Sequence, residues 1–527
     1  MKIRRLDIED HLCLVDFNIN FDTQDGGCST ILIGENGTGK STTLEVILEI
    51  FMSFDSPSME SKITYDYIIE YEYAQKNIYI EKREHYYQIK VDDAVFEGNY
   101  SNIRNIAHRE SIFPQRIVTF YSGANDRFNQ KFRSTYAQYT NTCKARLNEY
   151  IKSITPGMYQ YNYTGQFPKR KYNRCIERLT DVYLLSLLCG NDSDEKEHLK
   201  EQCHLDAIQT INVSLEVQKI PPILQRINPD DRINGLSVII EFIDAHFVEL
   251  FQSGFLNSYD KRLYFQLGNI EYLGLDAISL YNFFEKLIVL FGAQIDVTVL
   301  SGDSSVKCRN LSEGQRQLIK IFGMLGICKS EDCLVLMDEP DAYMNPKWKY
   351  EIKAVIDNVL SKAINTQAII ATHDPLVING VDKKYIRIFT HNTSLAENNR
   401  FYVTKVVTPT EETEGMGIDG LLQSQYYRLP TSYDKPTSDK FNERQQLYIK
   451  LINNEISSEE KERLKQLTRE LGALPKAYTT IDFLYDDFIK VYRNSPLYHK
   501  EYLSFDELER RRTEIEEIIN ALYEEQI

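Results

Sequence analysis

The chain has 527 residues, which is too many for one compact hydrophobic core, so we expect several domains. Its formal net charge of −16 excludes a protein that coats nucleic acid with its whole surface, because phosphate binding depends on accumulated lysine and arginine. No apolar run approaches the ~20 residues of a membrane-spanning helix, and the nine cysteines form no C-x-x-C pair, so we expect a cytoplasmic protein without a membrane partner.

The first predicted elements are short strands followed by a helix. Apolar and polar residues alternate over 3–8 and 12–21, and a third apolar run over 30–33 ends in glycine. From Ser41 the apolar residues recur at helical spacing. This order of strand, glycine-rich turn and helix is the one that a phosphate-binding loop requires.

A complete G-x-x-x-x-G-K-[ST] motif occupies that turn. Its backbone N–H groups would surround phosphates, Lys40 would reach the β and γ phosphates, and Ser41 would bind Mg²⁺. Such a pattern arises by chance in roughly one chain of this length in a hundred. We therefore predict an ATP site made by the following residues: Gly34, Glu35, Asn36, Gly37, Thr38, Gly39, Lys40, Ser41 and Thr42.

The middle of the chain changes from β to helical character. Alternation over 63–96 predicts an antiparallel meander, and 116–121 predicts a further strand. Over 124–295 the pattern is mostly helical, for example in 181–188 and 236–251.

A second group of strands follows. Residues 333–337 and 367–371 are short apolar runs, and a helical pattern over 348–360 separates them. This β-α-β order is typical of a parallel sheet. Nearer the end, Ser457 with Glu460 forms a capping box at the start of a charged helix.

Two carboxylates, Asp338 and Glu339, directly follow the strand over 333–337. Asp338 would hold Mg²⁺, while Glu339 would orient or deprotonate the attacking water, because phosphoryl transfer depends mainly on positioning and charge neutralisation. A strand that ends in Asp-Glu is common, so the pair alone is weak evidence for an ATPase. It indicates an ATPase only in combination with the phosphate-binding motif earlier in the chain.

The segment Leu311-Ser312-Glu313-Gly314-Gln315 resembles the LSGGQ signature of the ABC ATPase superfamily. In that superfamily the loop and the start of its helix bind the γ phosphate of ATP held by a second copy. The resemblance therefore implies a homodimer with ATP sandwiched between two heads and contacted by Ser312, Gly314 and Gln315. The glutamate at 313 departs from the superfamily pattern and resembles the variation among SMC-like members.

Three further pieces complete the predicted site. Residues 341–346 follow the carboxylate pair as a subunit-contacting D-loop would, and His373 follows the strand over 367–371 as a switch histidine would. The resemblance thus implies Lys40, Glu339 and His373 as catalytic residues. Gln115, beside the strand over 116–121, is our candidate for the superfamily's glutamine ligand of Mg²⁺.

Together these signals predict an α/β fold, an ABC/SMC-like P-loop NTPase head with an antiparallel β subdomain, a helical insertion and a helical C-terminal extension. We expect four segments: 1–123 as the first half of the head, 124–295 as the insertion, 296–408 as the second half of the head, and 409–527 as a docking domain.

Beyond the ATPase motifs, the chain resembles the SMC-like ATPases of bacterial anti-phage defence, especially the PtuA-like ATPases of Septu and certain retron systems. The resemblance rests on segments 121–123, 338–341, 345–346, 372–375 and 415–419. It implies a separate HNH nuclease partner and, in retron systems, a reverse transcriptase with its RNA–DNA product. Residues 401–527 contain no D-x-D carboxylate pair, so we assign nuclease activity to a partner.

One segment, Met158 to Arg174, interleaves aromatic residues with lysines and arginines. Such a segment could contact nucleic acid by stacking bases and following phosphates. A solvated loop is the alternative for this segment.

Two other functions were weighed against a defence ATPase. An SMC-like DNA-repair or chromosome-type clamp would act on DNA through coiled-coil arms, and the insertion lacks the sustained heptads that arms require. An ABC transporter subunit would have a more compact head without the long insertion. We therefore expect an ATPase that regulates a nuclease.

Overall fold

The computed structural model describes residues 1–21, 28–123, 128–155, 163, 165–190, 193–220, 232–251, 253–257, 259–329, 331–363, 365–391, 403–429, 433–452, 456–472, 510, 513 and 515. It divides into two compact units, Met1–Gly415 and Met416–Ile527. The first unit contains three β-sheets and most of the helices.

A six-stranded antiparallel sheet is formed near the beginning of the chain, in the order β2-β1-β4-β5-β6-β7. Its strands are β1 (Lys2–His11), β2 (Leu14–Asn20), β4 (Tyr67–Tyr73), β5 (Lys76–Arg83), β6 (Tyr86–Val91) and β7 (Ala94–Asn99). Alternate side chains of β4, including Tyr67, Ile69 and Tyr71, are buried. The predicted meander over 63–96 is therefore confirmed.

A seven-stranded sheet forms the centre of the first unit, in the order β18-β17-β3-β16-β15-β8-β9. Its strands are β3 (Ser29–Gly34), β8 (Arg116–Tyr121), β9 (Tyr172–Arg174), β15 (Cys333–Asp338), β16 (Gln367–Ala371), β17 (Ile386–His391) and β18 (Thr404–Val407). All neighbours are parallel except β17 and β18. Strands β15 and β16 are buried on both faces, which explains their unbroken apolar sequences.

A third sheet, which the sequence analysis did not identify, combines strands from 207–267 with strands from 294–307 and so crosses the expected boundary at 295. This five-stranded antiparallel sheet has the order β11-β12-β10-β13-β14. Its strands are β10 (Ala207–Glu216), β11 (Phe255–Asn257), β12 (Arg262–Leu267), β13 (Gln294–Ser301) and β14 (Ser304–Lys307).

The helices of the first unit surround these sheets. They are α1 (Lys40–Asp55), α2 (Pro57–Glu60), α3 (Tyr100–Arg109), α4 (Asn129–Ile154), α5 (Thr180–Cys189), α6 (Ser193–Cys203), α7 (Arg232–Ile243), α8 (Ala277–Phe291), α9 (Glu313–Ile327), α10 (Pro346–Ser361) and α11 (Pro375–Ile378). Helix α1 shares one hydrophobic core with the six-stranded sheet and one face of the central sheet. Helix α9 packs against α5, α8 and α10.

The described part of the second unit is helical. It contains α12 (Gly417–Gln423), α13 (Lys435–Ile452) and α14 (Ser458–Gly472). The amide of Glu460 donates to Ser457 Oγ at 3.2 Å, and the amide of Ser457 donates to Glu460 Oε2 at 2.9 Å, which confirms the predicted capping box. Among all the described residues, no helix combines the length and the apolar character needed to cross a membrane. The predicted α/β class, with its P-loop head and antiparallel sheet, is confirmed.

Candidate nucleotide site

The glycine-rich loop lies between β3 and α1, and two of its glycines have backbone requirements that other residues would not meet. Gly34 has a φ of +144°, and a Cβ there would lie 2.2 Å from the carbonyl oxygen of Phe389 in the neighbouring strand. Gly39 has a φ of +94° and immediately precedes α1. The close approach to β17 and the left-handed turn explain why glycine occupies these two positions.

The start of α1 has the properties of an anion site. Gly39 offers no side-chain cap to the helix, and a Cβ at Gly37 would have no other atom within 4 Å. The first N–H groups of a helix carry a partial positive charge and lack helical partners. Phosphate oxygens fit this turn, which no side chain caps, with the amides at the start of α1 as their donors.

Lys40 lies inside the loop rather than in solvent. Its Nζ donates to the carbonyl oxygens of Gly34 at 2.6 Å and Glu35 at 3.0 Å. Burial lowers the pKa of the Lys40 ammonium, and the nearby charges of Asp338 and Glu339 oppose this shift. The lysine is therefore held beside both carboxylates, where it can exchange carbonyl oxygens for phosphate oxygens.

The loop is supported from behind by residues that the sequence analysis did not identify. Thr404, in β18, donates its hydroxyl to the carbonyl oxygen of Thr38 at 2.9 Å, and its amide donates to Cys13 at 2.8 Å. Cys13 and Leu14 also lie about 3 Å from the position of a Cβ on Gly39. No local motif marks Thr404, because its partner is 366 positions away in the chain.

The two carboxylates stand at the end of β15. Asp338 is buried and pairs in the parallel ladder with Ala371, which itself pairs with Leu32 just before the loop. The carboxyl ends of parallel strands meet at one edge of a sheet, so Asp338 and Ser41 can both face a metal ion bound there. A hydroxyl and a carboxylate are oxygen ligands of the kind that Mg²⁺ prefers.

Glu339 has an unusual backbone conformation. Its φ is +51°, a value that is uncommon for residues other than glycine, and its amide donates to Ala371 at 2.8 Å. Its carboxylate accepts a hydrogen bond from His373 Nδ1 at 2.9 Å. The ends of β15 and β16 therefore bring the predicted catalytic glutamate and the predicted switch histidine into contact.

This contact shifts both ionisations. The hydrogen bond from His373 lowers the pKa of Glu339, and the same bond raises the pKa of His373. The glutamate's contribution to stability is present above its usual pKa and is lost at lower pH. The histidine's contribution is present below its usual pKa and is lost as the pH rises, so the pair is complete at roughly pH 4.5 to 6.5. The two side chains are 36% and 55% exposed, so the stabilisation is small.

We expect Glu339→Gln to lower the pKa of His373, because a neutral amide replaces the carboxylate that favours the charged imidazole. The measurement is an NMR titration of the histidine ring signals, with His373→Ala used to assign the resonance. The matched control is Glu412→Gln, which removes an exposed carboxylate paired with Lys383. An unchanged His373 pKa in Glu339→Gln would contradict the contact.

A second layer of polar contacts fixes the segments behind these residues. The hydroxyl of Thr372 donates to Asp341 at 2.8 Å, and Lys349 donates to Asp374 at 2.7 Å. Asp341 is buried, and this burial raises the pKa of its carboxyl group. The end of β16 and the predicted D-loop are thus joined directly.

The predicted signature begins α9. Ser312 is the N-cap of this helix and forms a capping box with Gln315, whose side-chain amide also donates to the carbonyl oxygen of Cys203 at 3.0 Å. A Cβ on Gly314 would lie 2.9 Å from the Trp348 ring and 3.1 Å from the carbonyl oxygen of Tyr343. Glu313 is exposed, so a side chain is tolerated there and excluded one residue later.

The start of α9 also forms a hydrogen bond with the carboxylate segment, by which we mean residues 338–340. Gln317 donates to the carbonyl oxygen of Pro340 at 3.1 Å. The exposed Ser312 and Glu313 place the start of α9 at the surface, where it is a second candidate anion site, separate from the loop after β3.

The prediction of Gln115 as a Mg²⁺ ligand is wrong. Gln115 precedes β8, and its amide donates to Asp332 at 3.1 Å, at the edge of the sheet where β15 begins. Asp338 lies beside Tyr121 at the other end of β8. Six residues of strand separate the two ends, which amounts to roughly 20 Å. Ser122, the residue that follows β8, lies at the same edge as Asp338, to whose carbonyl oxygen its amide donates.

The predicted basic patch is also corrected where it can be described. Residues 158–162 and 164 lie outside the described residues. Arg170 forms an ion pair with Glu285 at 3.0 Å, and its side chain is 11% exposed. Lys171 pairs with Asp55 at 2.6 Å. These cations are already neutralised inside the unit, so they cannot neutralise phosphates.

The rest of the described patch has the same character. Lys169 is exposed but pairs with Glu331 at 2.9 Å, and the buried Tyr172 donates its hydroxyl to Phe51 at 2.9 Å. The Phe167 ring packs against Phe242 with 4.9 Å between ring centroids. The described aromatic residues therefore face internal partners rather than bases.

Comparison with known proteins gives a family and several relatives. The family model described as AAA ATPase domain matches residues 1–378. Septu protein PtuA of Bacillus mycoides (strain KBAB4) is 29% identical over 187 residues, which are 34% of this chain and 24% of that protein. Retron Vc95 probable ATPase of Vibrio cholerae serotype O1 biovar El Tor is 28% identical over 132 residues, 23% of this chain and 24% of that protein.

These curated matches confirm the resemblance to the PtuA-like ATPases, although each spans only about a quarter of the relative. Among solved structures, the SMC head domain from Thermotoga maritima is 12% identical, with 78% of this chain and 100% of that chain covered and a TM-score of 0.33. An Smc head domain from Pyrococcus furiosus, bound to the C-terminal domain of ScpA, is 15% identical, with 77% and 96% covered and a TM-score of 0.33.

Proposed function

Because the chain belongs to the AAA ATPase domain family, we propose that it binds ATP with Mg²⁺ at the edge of its central sheet and hydrolyses it there. One observation carries the proposal: the ends of β3, β15 and β16 bring Lys40, Glu339 and His373 to the same edge. Ligands of parallel α/β sheets bind at that edge.

Each residue at this edge has a task in phosphoryl transfer. The amides at the start of α1 bind the phosphates, and Lys40 moves from loop carbonyls to the β and γ phosphates. Ser41 and Asp338 would hold Mg²⁺, which supplies neutralisation of charge between the phosphates. Glu339 orients the water and accepts its proton, and His373 keeps the carboxylate aimed through their hydrogen bond.

The proposed catalytic unit is a homodimer. The first turn of α9, with Ser312, Gly314 and Gln315, would bind the γ phosphate of ATP held by the second copy. Support comes from the exposed, correctly capped start of this helix and from its attachment to the carboxylate segment through Gln317. An anion is favoured at a helix N-terminus.

The biological role proposed is regulation of an effector nuclease in anti-phage defence. The similarity to a Septu protein and to a retron ATPase supports this choice. An HNH nuclease would be the partner, joined in a retron system by a reverse transcriptase and its RNA–DNA product. The head halves 1–123 and 296–408, the insertion 124–295 and docking by 409–527 belong to the same proposal. The alternative is an SMC-like clamp that acts on DNA directly.

The test of the ATPase is phosphate release by the purified protein with ATP and Mg²⁺. We expect turnover that EDTA abolishes, and we expect Lys40→Ala to reduce ATP binding by at least about tenfold, because a buried cation at the phosphates is lost. Lys353→Ala, which removes a buried lysine paired with Asp357 in α10, is the control for general loss of a buried lysine. Failure of the unaltered protein to bind MgATP in calorimetry would refute the function.

The test of the partner is co-expression with the products of adjacent genes, followed by purification and mass measurement. A stable complex with an HNH protein supports regulation of a nuclease. Tethering of DNA by the protein alone, in the absence of such a complex, favours the clamp.

A further inference from the structure

Ser122 is the first residue after β8, and it lies against the backbone of Asp338 and Glu339, which we call the catalytic segment. Its amide donates to the carbonyl oxygen of Asp338 at 3.4 Å, and its hydroxyl donates to the carbonyl oxygen of Glu339. Ser122 therefore contacts both residues of the carboxylate pair through their main-chain oxygens and not through their carboxylates.

The backbone of Glu339 needs such support. A φ of +51° is unfavourable for a residue with a side chain and persists only where the surroundings fix it. Three bonds do so here: the amide donates to Ala371 in β16, and the carbonyl oxygen accepts from the Ser122 hydroxyl beyond β8 and from the Ala342 amide at 3.2 Å. Without the hydroxyl, the carbonyl oxygen of Glu339 loses its contact with the end of β8 and keeps only the Ala342 amide, which lies three residues further along the same segment.

We propose that Ser122 is a positioning residue for hydrolysis, which holds the Glu339 peptide so that the carboxylate points at the attacking water. This inference rests on the proposed ATP hydrolysis and goes beyond it, because Ser122 is not among the residues proposed above to bind phosphate or Mg²⁺ or to act on the water. Ser122 acts on the orientation of the Glu339 carboxylate and does not contribute to the affinity for ATP.

The location of Ser122 also connects the site to the insertion. Helix α4 begins at Asn129, shortly after Ser122, and its Lys131 pairs with Glu45 at 2.8 Å and Glu49 at 2.7 Å in α1. The chain that leaves β8 thus contacts the catalytic segment first and the phosphate-binding helix next.

The experiment is steady-state hydrolysis by the full-length Ser122→Ala and Ser122→Thr variants. We expect Ser122→Ala to lower kcat roughly tenfold with KM for ATP within about twofold, because misorientation of a catalytic group affects the transition state more than ground-state binding. Ser122→Thr keeps the hydroxyl and is expected to restore kcat. The matched control is Ser153→Ala, whose hydroxyl donates to the carbonyl oxygen of Tyr150 at 2.7 Å in α4.

The outcomes separate the inference from the function on which it rests. Unchanged kcat in Ser122→Ala, a raised KM, or failure of Ser122→Thr to restore kcat overturns the positioning role while wild-type turnover upholds the ATPase. A lowered Tm with proportional loss of all activity in Ser122→Ala and Ser153→Ala alike also overturns it, because that result indicates stability alone. Absence of turnover in the unaltered protein overturns the proposed function and this inference together.

Discussion

Glu339→Gln is expected to reduce ATP hydrolysis by about 10²- to 10⁴-fold and to leave ATP bound, because glutamine cannot accept a proton from the attacking water. Lys40, Ser41 and Asp338 remain, so phosphate and metal binding should persist. Glutamine also keeps an oxygen that can accept the His373 hydrogen bond, now 2.9 Å long, so the segment should keep its shape.

The retained ATP should hold two copies together. If ATP joins the loop of one copy to α9 of the other, a variant that binds but does not hydrolyse will accumulate as a dimer. Light scattering should then give twice the monomer mass in MgATP and the monomer mass after nucleotide removal. Phosphate release and retained nucleotide are measured on the same sample.

Asp338→Asn is the informative companion variant. Its buried side chain would lose the negative charge that favours Mg²⁺, so both hydrolysis and nucleotide-dependent pairing should fall. Turnover that survives in Glu339→Gln would contradict the role of this carboxylate and would direct attention to another base. Loss of turnover without retained ATP would instead indicate damage to the binding site.

The sequence was most informative for the strands of the central sheet that are buried on both faces. Strands such as β15 and β16 read as short apolar runs, and the residues that follow them carry the motifs. The motif spacing and the β-α-β order together predicted which strand ends would meet, since carboxyl ends of parallel strands share an edge.

The error at Gln115 has a simple cause. The strand over 116–121 was predicted correctly, and Gln115 stands before it, at the wrong edge for a ligand of Mg²⁺. The direction of a parallel strand contains the information that would have placed Gln115 at the opposite edge from Asp338 and Ser122 beside it. Its bond to the Glu339 backbone, 217 positions away, could not be read from the sequence.

The sequence analysis also missed the five-stranded sheet and the ion pairs of the basic patch, for different reasons. The alternation of Ile211, Val213 and Leu215 was a readable strand signal, but it lay within a region dominated by helical patterns. The charge partners of Arg170 and Lys169 are 115 and 162 positions away, so the cluster looked solvent-exposed in the sequence. Composition alone cannot distinguish a nucleic-acid patch from cations that neutralise a distant carboxylate.

The second large prediction concerns two variants that are inactive alone and active when mixed. Lys40→Ala removes the cation that binds phosphates in its own loop. Ser312→Asp keeps an efficient helix cap but places a negative charge where the γ phosphate would dock. Each variant by itself should lose at least about tenfold in hydrolysis, by loss of phosphate binding or by repulsion.

Mixing discriminates between sharing of ATP by two copies and action within one copy. In a mixed dimer, one site combines both defects, whereas the other combines the intact loop of the Ser312→Asp copy with the intact α9 of the Lys40→Ala copy. Half of the dimers in an equal mixture are mixed, and half of their sites are intact. Hydrolysis should therefore recover to about a quarter of the unaltered level, which follows from a two-fold symmetric dimer.

Ser312→Asn separates charge from shape, because asparagine caps a helix about as well as aspartate but is neutral. It should retain more activity than Ser312→Asp, and the difference should shrink in high salt if repulsion of phosphate is the cause. Should the Lys40→Ala and Ser312→Asp mixture show only the summed activity of the separate variants, ATP is not shared between copies. The start of α9 would then have no part in binding ATP held by the second copy.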